Sequence, residues 1–188
     1  MSYIAANIVI IGTGISGVLN YLNAYDIKSD VLEADNHIVI IAPNDVIAQD
    51  HIAMNISQSL NTIAWAVSNW DNALLEFYLY KNGERISEYH SCSSFFDFGN
   101  YNPDLTPIGG DAVELCNAFV SGDSEAVERT LRDRDVFQGN EEKRHMVLAR
   151  LLGLPDYVNQ FQYGAPMDLL EDIGIDLERV EQSGNTLR

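Results

Sequence analysis

Positive charge is scarce in this sequence. Its 188 residues include 11 Lys and Arg against 28 Asp and Glu, and the formal net charge at pH 7 is −17. Residues 1–91 hold 10 acidic and 3 basic side chains, and residues 92–188 hold 18 and 8, so no acidic tail accounts for the excess. Because binding to nucleic-acid phosphates or anionic membranes depends on Lys and Arg, the composition argues against both and favours a basic protein partner.

Cysteine and long apolar runs are also scarce. The two cysteines, Cys92 and Cys116, form no CxxC motif and have no histidine at metal-ligand spacing, so no metal site is predicted. Reduced thiols are the default in the cytoplasm, and whether the two pair stays open. No apolar run approaches the roughly 18 residues that span a bilayer. The N-terminal residues lack a basic segment and a cleavage site, so we expect a cytoplasmic protein without a signal peptide.

Catalytic motifs are missing as well. No serine lies in a GxSxG motif, and the four histidines form neither HxH nor HExxH. His51 falls within one helical pattern and His145 near the start of another, which favours surface or capping roles. We therefore predict no catalytic residue and no bound cofactor, and the sequence favours a binding protein over an enzyme.

Apolar residues are plentiful, at 46% of the chain, which is enough for the core of one domain. An isoleucine-rich run at 7–13 predicts a strand, and apolar residues spaced as in a helix follow it. Two β-like runs, 31–35 and 37–42, meet at the turn Asp35-Asn36, which predicts a hairpin. A second helical pattern from Ala48 to Leu60 precedes another strand, so the order is β-α-β-β-α-β.

The rest of the chain adds a hairpin and helices. Asn82-Gly83 predicts the turn of an extra hairpin, and helical patterns follow from Asp111 onward. We predict an α+β fold with a ferredoxin-like βαββαβ core, an extra hairpin and a helical C-terminal segment. Residues 1–163 form a single domain, with a sheet-rich half at 1–91 and a loop with helices at 92–163. We expect residues 164–188 to form a loosely packed acidic tail.

A glycine motif follows the first predicted strand. Gly12, Gly14 and Gly17 fit GxGxxG, and Glu33 ends the next strand, where a dinucleotide-binding site places its ribose-binding acid. That fold needs a crossover of about a dozen residues or more before the following parallel strand. The Asp35-Asn36 turn is too short for it. The glycines are therefore interpreted as a strand-to-helix turn, with dinucleotide binding as the alternative.

Aromatic residues are concentrated in the predicted strands and in the loop after them. Tyr78 and Tyr80 lie on the opposite strand face from Phe77 and Leu79, so both faces are apolar or aromatic. We expect helices to cover one face, and either the C-terminal helices or a partner to cover the other. Aromatic anchors among carboxylates suit a basic protein surface. The loop residues predicted to bind the partner are Phe95, Phe96, Asp97, Phe98, Tyr101 and Asp104.

Three segments resemble a family of uncharacterised bacterial proteins. They are the stretch from Trp70 to Glu88 with its D-x-x-L-L-x-F-x-L-Y-x-x-G core, the stretch Gly109-Gly110-Asp111-Ala112 to Cys116, and His145 to Pro155. The resemblance covers roughly residues 65–157 and implies an α/β fold, with no catalytic residue to transfer. In size, charge and fold class, the chain is also similar to small acidic immunity proteins that neutralise toxins.

These observations favour a non-catalytic, acidic interaction domain that binds a basic protein, with a toxin as a candidate partner. Two alternatives stay open. One is a dinucleotide-binding oxidoreductase that uses the GxGxxG motif, and the other is a nucleic-acid mimic that occupies the groove of a DNA-binding protein.

Overall fold

A computed structural model describes residues 4–34, 37–41, 49–92, 106–120, 122–154 and 180–182. Within these residues the chain forms eight strands and six helices, which confirms a mixed α+β fold. In chain order they are β1 (Ile4–Ile11), α1 (Ile15–Ala24), β2 (Asp30–Ala34), β3 (His37–Ile41), α2 (Gln49–Leu60), β4 (Ile63–Trp70), β5 (Leu74–Lys81), β6 (Glu84–His90), β7 (Ile108–Gly109), α3 (Ala112–Phe119), α4 (Ser124–Arg132), α5 (Arg134–Phe137), α6 (Glu141–Leu151) and β8 (Val180–Gln182).

The strands form one sheet in the order β7-β6-β5-β4-β1-β3-β2-β8. Every described pair of neighbouring strands is antiparallel. Ala34 pairs with His37, so β2 and β3 form the hairpin expected at Asp35-Asn36, although those two residues lie outside the described residues. The second expected hairpin joins β5 to β6 at Asn82-Gly83.

Successive side chains of a strand point to opposite faces of the sheet. In the central strands the side chains on both faces are apolar, so helices cover both faces. Ile8 and Ile10 of β1 pack with α1 and α2, whereas Val9 packs in a second core with α3, α4 and α6. The face that bears Phe77 is therefore covered by the C-terminal helices rather than by a partner.

Helix starts in the second half follow from their capping residues. The Asp111 side chain accepts hydrogen bonds from the backbone N–H groups of Val113 and Glu114, so α3 begins where the sequence predicts. Asp123 caps α4 in the same way. These caps fix where α3 and α4 begin and so help to place their apolar faces on the sheet.

Two further expectations concern cysteines and membranes. Cys92 and Cys116 do not form a disulfide with each other, and Cys92 is buried. None of the helices described above has the length and apolar character needed to cross a bilayer.

Candidate functional site

The residues of the loop predicted to bind a partner, Phe95, Phe96, Asp97, Phe98, Tyr101 and Asp104, all lie outside the described residues. The described sheet and helices carry the candidate sites.

The glycine motif lies at the turn between β1 and α1. Gly12 has a backbone φ of +87°, which only glycine adopts readily, and Gly14 is the N-cap of α1. Glu33 is exposed on β2, and β3 runs between β1 and β2 in the antiparallel direction. None of the described strands forms the parallel pair that a doubly wound dinucleotide-binding sheet requires. The turn accounts for Gly12 and Gly14, whereas Gly17 lies within α1.

One face of the β4–β6 region gathers aromatic and acidic side chains. Tyr78 and Tyr80 share this face of β5, and α2 covers Tyr80 but leaves Tyr78 half-buried. Glu88 lies directly opposite Tyr78 on β6 and is exposed. We call this surface the acidic–aromatic patch, and it consists of Asp50, Trp70, Glu76, Tyr78, Glu88 and His90.

Specific contacts hold the patch together. One Glu76 carboxylate oxygen accepts a hydrogen bond from Trp70 Nε1 at 2.9 Å, and the other lies 3.6 Å from His90 Nδ1. The His90 ring meets the Tyr78 ring edge-on, with centroids 5.8 Å apart. At the covered end, the Tyr80 hydroxyl donates to the Asp50 carboxylate. The side chains are therefore pre-positioned rather than free to rotate.

Burial controls the protonation of this patch. It raises the pKa of Glu76, an effect that the Trp70 hydrogen bond and His90 partly oppose. Burial, together with the nearby carboxylates, raises the pKa of Tyr78 to about 12. Burial and the hydrogen bond to Asp50 also raise the pKa of Tyr80. Both phenols stay neutral at physiological pH, so the patch presents carboxylates and neutral aromatic rings, which suit a cationic ligand.

A second concave surface lies between α4 and the start of α3. It is an open groove of about 840 Å³, and Asp111, Glu125 and Arg129 are among its lining residues. Arg132 on its wall is paired with Glu128 at 2.9 Å. Across the described chain, no group of three or more His, Cys, Asp or Glu side chains could hold a metal ion. The mixed charges of this groove single out no ligand.

His145 lies in the core, so the expectation of a surface or capping role is wrong. The residue is 3% exposed, and its ring meets Trp65 edge-on. Its Nε2 atom has no hydrogen-bond partner within the described structure, and burial lowers the pKa of His145 to about 3. The imidazole is therefore neutral at physiological pH and serves as part of the core.

The members of the patch differ in how visible they are in the sequence. Trp70 and Tyr78 belong to the aromatic concentration that the sequence shows, whereas no motif marks Glu76 or Glu88. Strand alternation places Glu76 on the face of Tyr78. Regular pairing from the Asn82-Gly83 turn would set Ser87 opposite Tyr78, and it is a bulge in β6 that brings Glu88 there instead.

No protein-family model, curated protein or solved structure matches the chain. The resemblance to a family of uncharacterised bacterial proteins therefore stays a prediction.

Proposed function

We propose that the protein is a non-catalytic interaction domain that binds a basic protein through the acidic–aromatic patch. The observation that carries the proposal is Tyr78, which is half-buried among the carboxylates of Glu76, Asp50 and Glu88. Aromatic side chains bury large areas at little entropic cost, and the surrounding carboxylates steer and orient a cationic partner. The net charge of −17 acts over longer range in the same direction.

The loop predicted to bind a partner, Phe95 to Asp104, stays part of this proposal because it follows β6 closely in the sequence. We also propose a ferredoxin-like core for the domain, within residues 1–163. The order β4-β1-β3-β2, the antiparallel pairing and the positions of α1 and α2 in the chain support it. A cytoplasmic location is likewise a proposal.

Tryptophan fluorescence provides the test. Trp65 is 0% exposed, whereas Trp70 lies in the patch, so a bound ligand is expected to alter Trp70 emission selectively. The probe is a short Arg- and Lys-rich peptide, compared with a peptide of equal length in which Glu replaces the basic residues. We expect saturable binding of the basic peptide alone, with affinity that falls as salt is added.

Charge variants locate the binding surface. Glu88→Gln is expected to weaken binding of the basic peptide about two- to fivefold, as loss of an exposed ion pair does. Glu125→Gln removes an equal charge from α4 on the other side of the sheet, and we expect it to leave affinity nearly unchanged. Equal effects of the two variants, or equal binding of the acidic peptide, would overturn the proposal.

A basic toxin is the partner class that the sequence favours. If the neighbouring gene encodes a small basic protein that arrests growth, co-expression of this protein is expected to restore growth. Co-expression of the Glu88→Gln variant is expected to restore it less. Growth arrest that neither form relieves would argue against a toxin while leaving other basic partners open.

A further inference from the structure

A guanidinium group of the same chain, that of Arg85, lies over the Tyr78 ring. The Cζ atom of Arg85 lies 5.8 Å from the ring centroid, over the face of the ring. Its Nη1 atom lies 2.9 Å from a Glu88 carboxylate oxygen. An aromatic face beside a carboxylate is the combination that recognises arginine, because the planar cation stacks and forms a directed ion pair together.

A bulge in β6 creates this arrangement. Residues three apart in a regular strand lie on opposite faces, yet Arg85 and Glu88 share one face. They do so because the pairing register shifts between Leu79 and Tyr80 of β5, which adds a residue to the facing stretch of β6. Arg85 consequently lies opposite Tyr80, and Glu88 lies opposite Tyr78.

We infer that Tyr78 and Glu88 form a binding site for an arginine side chain of the partner. Arg85 of the same chain occupies this site in the free protein, and the partner's arginine displaces it. The inference rests on the proposed function and names the group that the patch binds. Arg85 and Glu88 are 49% and 48% exposed, so water screens their pairing and the resident arginine is easily exchanged.

Charge around the ring also favours an incoming arginine. Asp50, Glu76 and Glu88 all raise the pKa of Tyr78, and Arg85 is the cation that opposes them. The single positive charge of Arg85 does not balance these three carboxylates, so the surface around Tyr78 stays anionic. A partner arginine that arrives on a larger basic surface brings further positive charge to these carboxylates, which favours the exchange.

Removing the resident occupant tests the inference. The probe is an arginine-containing peptide whose binding is measured by Trp70 emission. The variant is Arg85→Gln, which removes the guanidinium from the binding site and changes only an exposed residue. We expect this variant to bind the peptide about three- to tenfold more tightly than the unaltered protein. Lys81→Gln is the matched control, since it removes an equal charge from an exposed residue of β5 on the other face from Tyr78.

A peptide with lysine in place of each arginine distinguishes a site specific for guanidinium from simple charge attraction. We expect the Arg85→Gln variant to prefer the arginine peptide, because an ammonium group cannot stack and pair in the same way. Equal affinity for the two peptides would overturn the inference. So would equal tightening by Arg85→Gln and Lys81→Gln.

The two proposals fail in different ways. If the unaltered protein binds the arginine peptide through Glu88 but Arg85→Gln binds no more tightly than the Lys81→Gln control, the displacement is wrong and the interaction domain stands. If neither the unaltered protein nor Arg85→Gln binds the peptide, the patch is not a cation-binding surface and both proposals fall.

Discussion

Arg144 and Glu141 form an ion pair that is closed off from solvent, with Arg144 Nε and Glu141 Oε2 2.7 Å apart. The guanidinium also donates hydrogen bonds to the backbone oxygens of Thr130 and Leu131, at 2.7 and 2.9 Å. These carbonyls belong to the last turn of α4 and lack partners within that helix. Arg144 therefore joins α6 to the C-terminal end of α4.

Replacing Arg144 with Met is expected to lower the free energy of unfolding by about 3–5 kcal/mol, because the buried Glu141 carboxylate loses its cation and the Thr130 carbonyl loses this hydrogen bond. The Leu131 carbonyl keeps the hydrogen bond that the Tyr89 hydroxyl donates. Chemical denaturation followed by circular dichroism measures the loss. The control is Arg132→Met, which breaks the exposed pair with Glu128 and is expected to cost about 1 kcal/mol or less. Similar losses in both variants would contradict a special role for the buried pair.

His145 makes stability depend on acidity. Burial lowers its pKa to about 3 in the folded state, from 6.5. Between these values the unfolded chain binds one proton more than the folded chain, so stability falls as pH falls, by about 1.4 kcal/mol per pH unit at most. We expect His145→Leu to flatten the pH dependence of the unfolding free energy across this range.

The matched variant is His51→Leu on the exposed face of α2, for which we expect the wild-type pH dependence. If His145→Leu and the unaltered protein lose stability in parallel between pH 6.5 and pH 3, other groups carry the acid sensitivity.

Local signals account for the parts of the fold that the sequence predicts well. The Asn82-Gly83 turn and the Asp111 cap depend on only a few neighbouring residues, so the amino-acid sequence is enough to predict them. The burial of His145 depends instead on which neighbours α6 meets, Trp65 among them, and helical spacing does not specify those neighbours.

The candidate site was harder to predict for a related reason. Its aromatic residues follow from composition, but the shared face of Arg85 and Glu88 depends on the bulge in β6. A bulge reverses the alternation of faces beyond it, so counting residues from the turn places one of the two side chains on the wrong face.

Ionisation of Glu76 is expected to lower the free energy of unfolding. Burial raises its pKa in the folded state, so the folded chain holds this proton to higher pH than the unfolded chain does. Its contribution to stability is therefore greatest in acid and is lost as pH rises through the ordinary value and then the raised one. Glu76→Gln keeps an acceptor for Trp70 Nε1 and cannot ionise, so we expect a higher melting temperature near neutral pH.

The comparison is thermal unfolding from pH 4 to pH 8, with Glu84→Gln, an exposed carboxylate of β6, as the control. The same Glu76→Gln protein is expected to bind the basic peptide more weakly, which would identify Glu76 as a residue kept for binding at the expense of stability. A variant that is less stable at pH 8 and binds normally would reverse this assignment.

Gly109 is the point at which the short strand β7 meets β6. Its backbone φ is +68°, and an added Cβ would lie 2.1 Å from the Glu88 backbone oxygen. Gly109→Ala therefore combines left-handed backbone strain with a backbone clash, and we expect a loss of about 2–4 kcal/mol in unfolding free energy. Gly139 separates the two causes, since its φ is +71° and no atom lies within 4 Å of an added Cβ. Gly139→Ala should then cost only about 1–2 kcal/mol, and equal losses would mean that the contact with Glu88 is readily relieved.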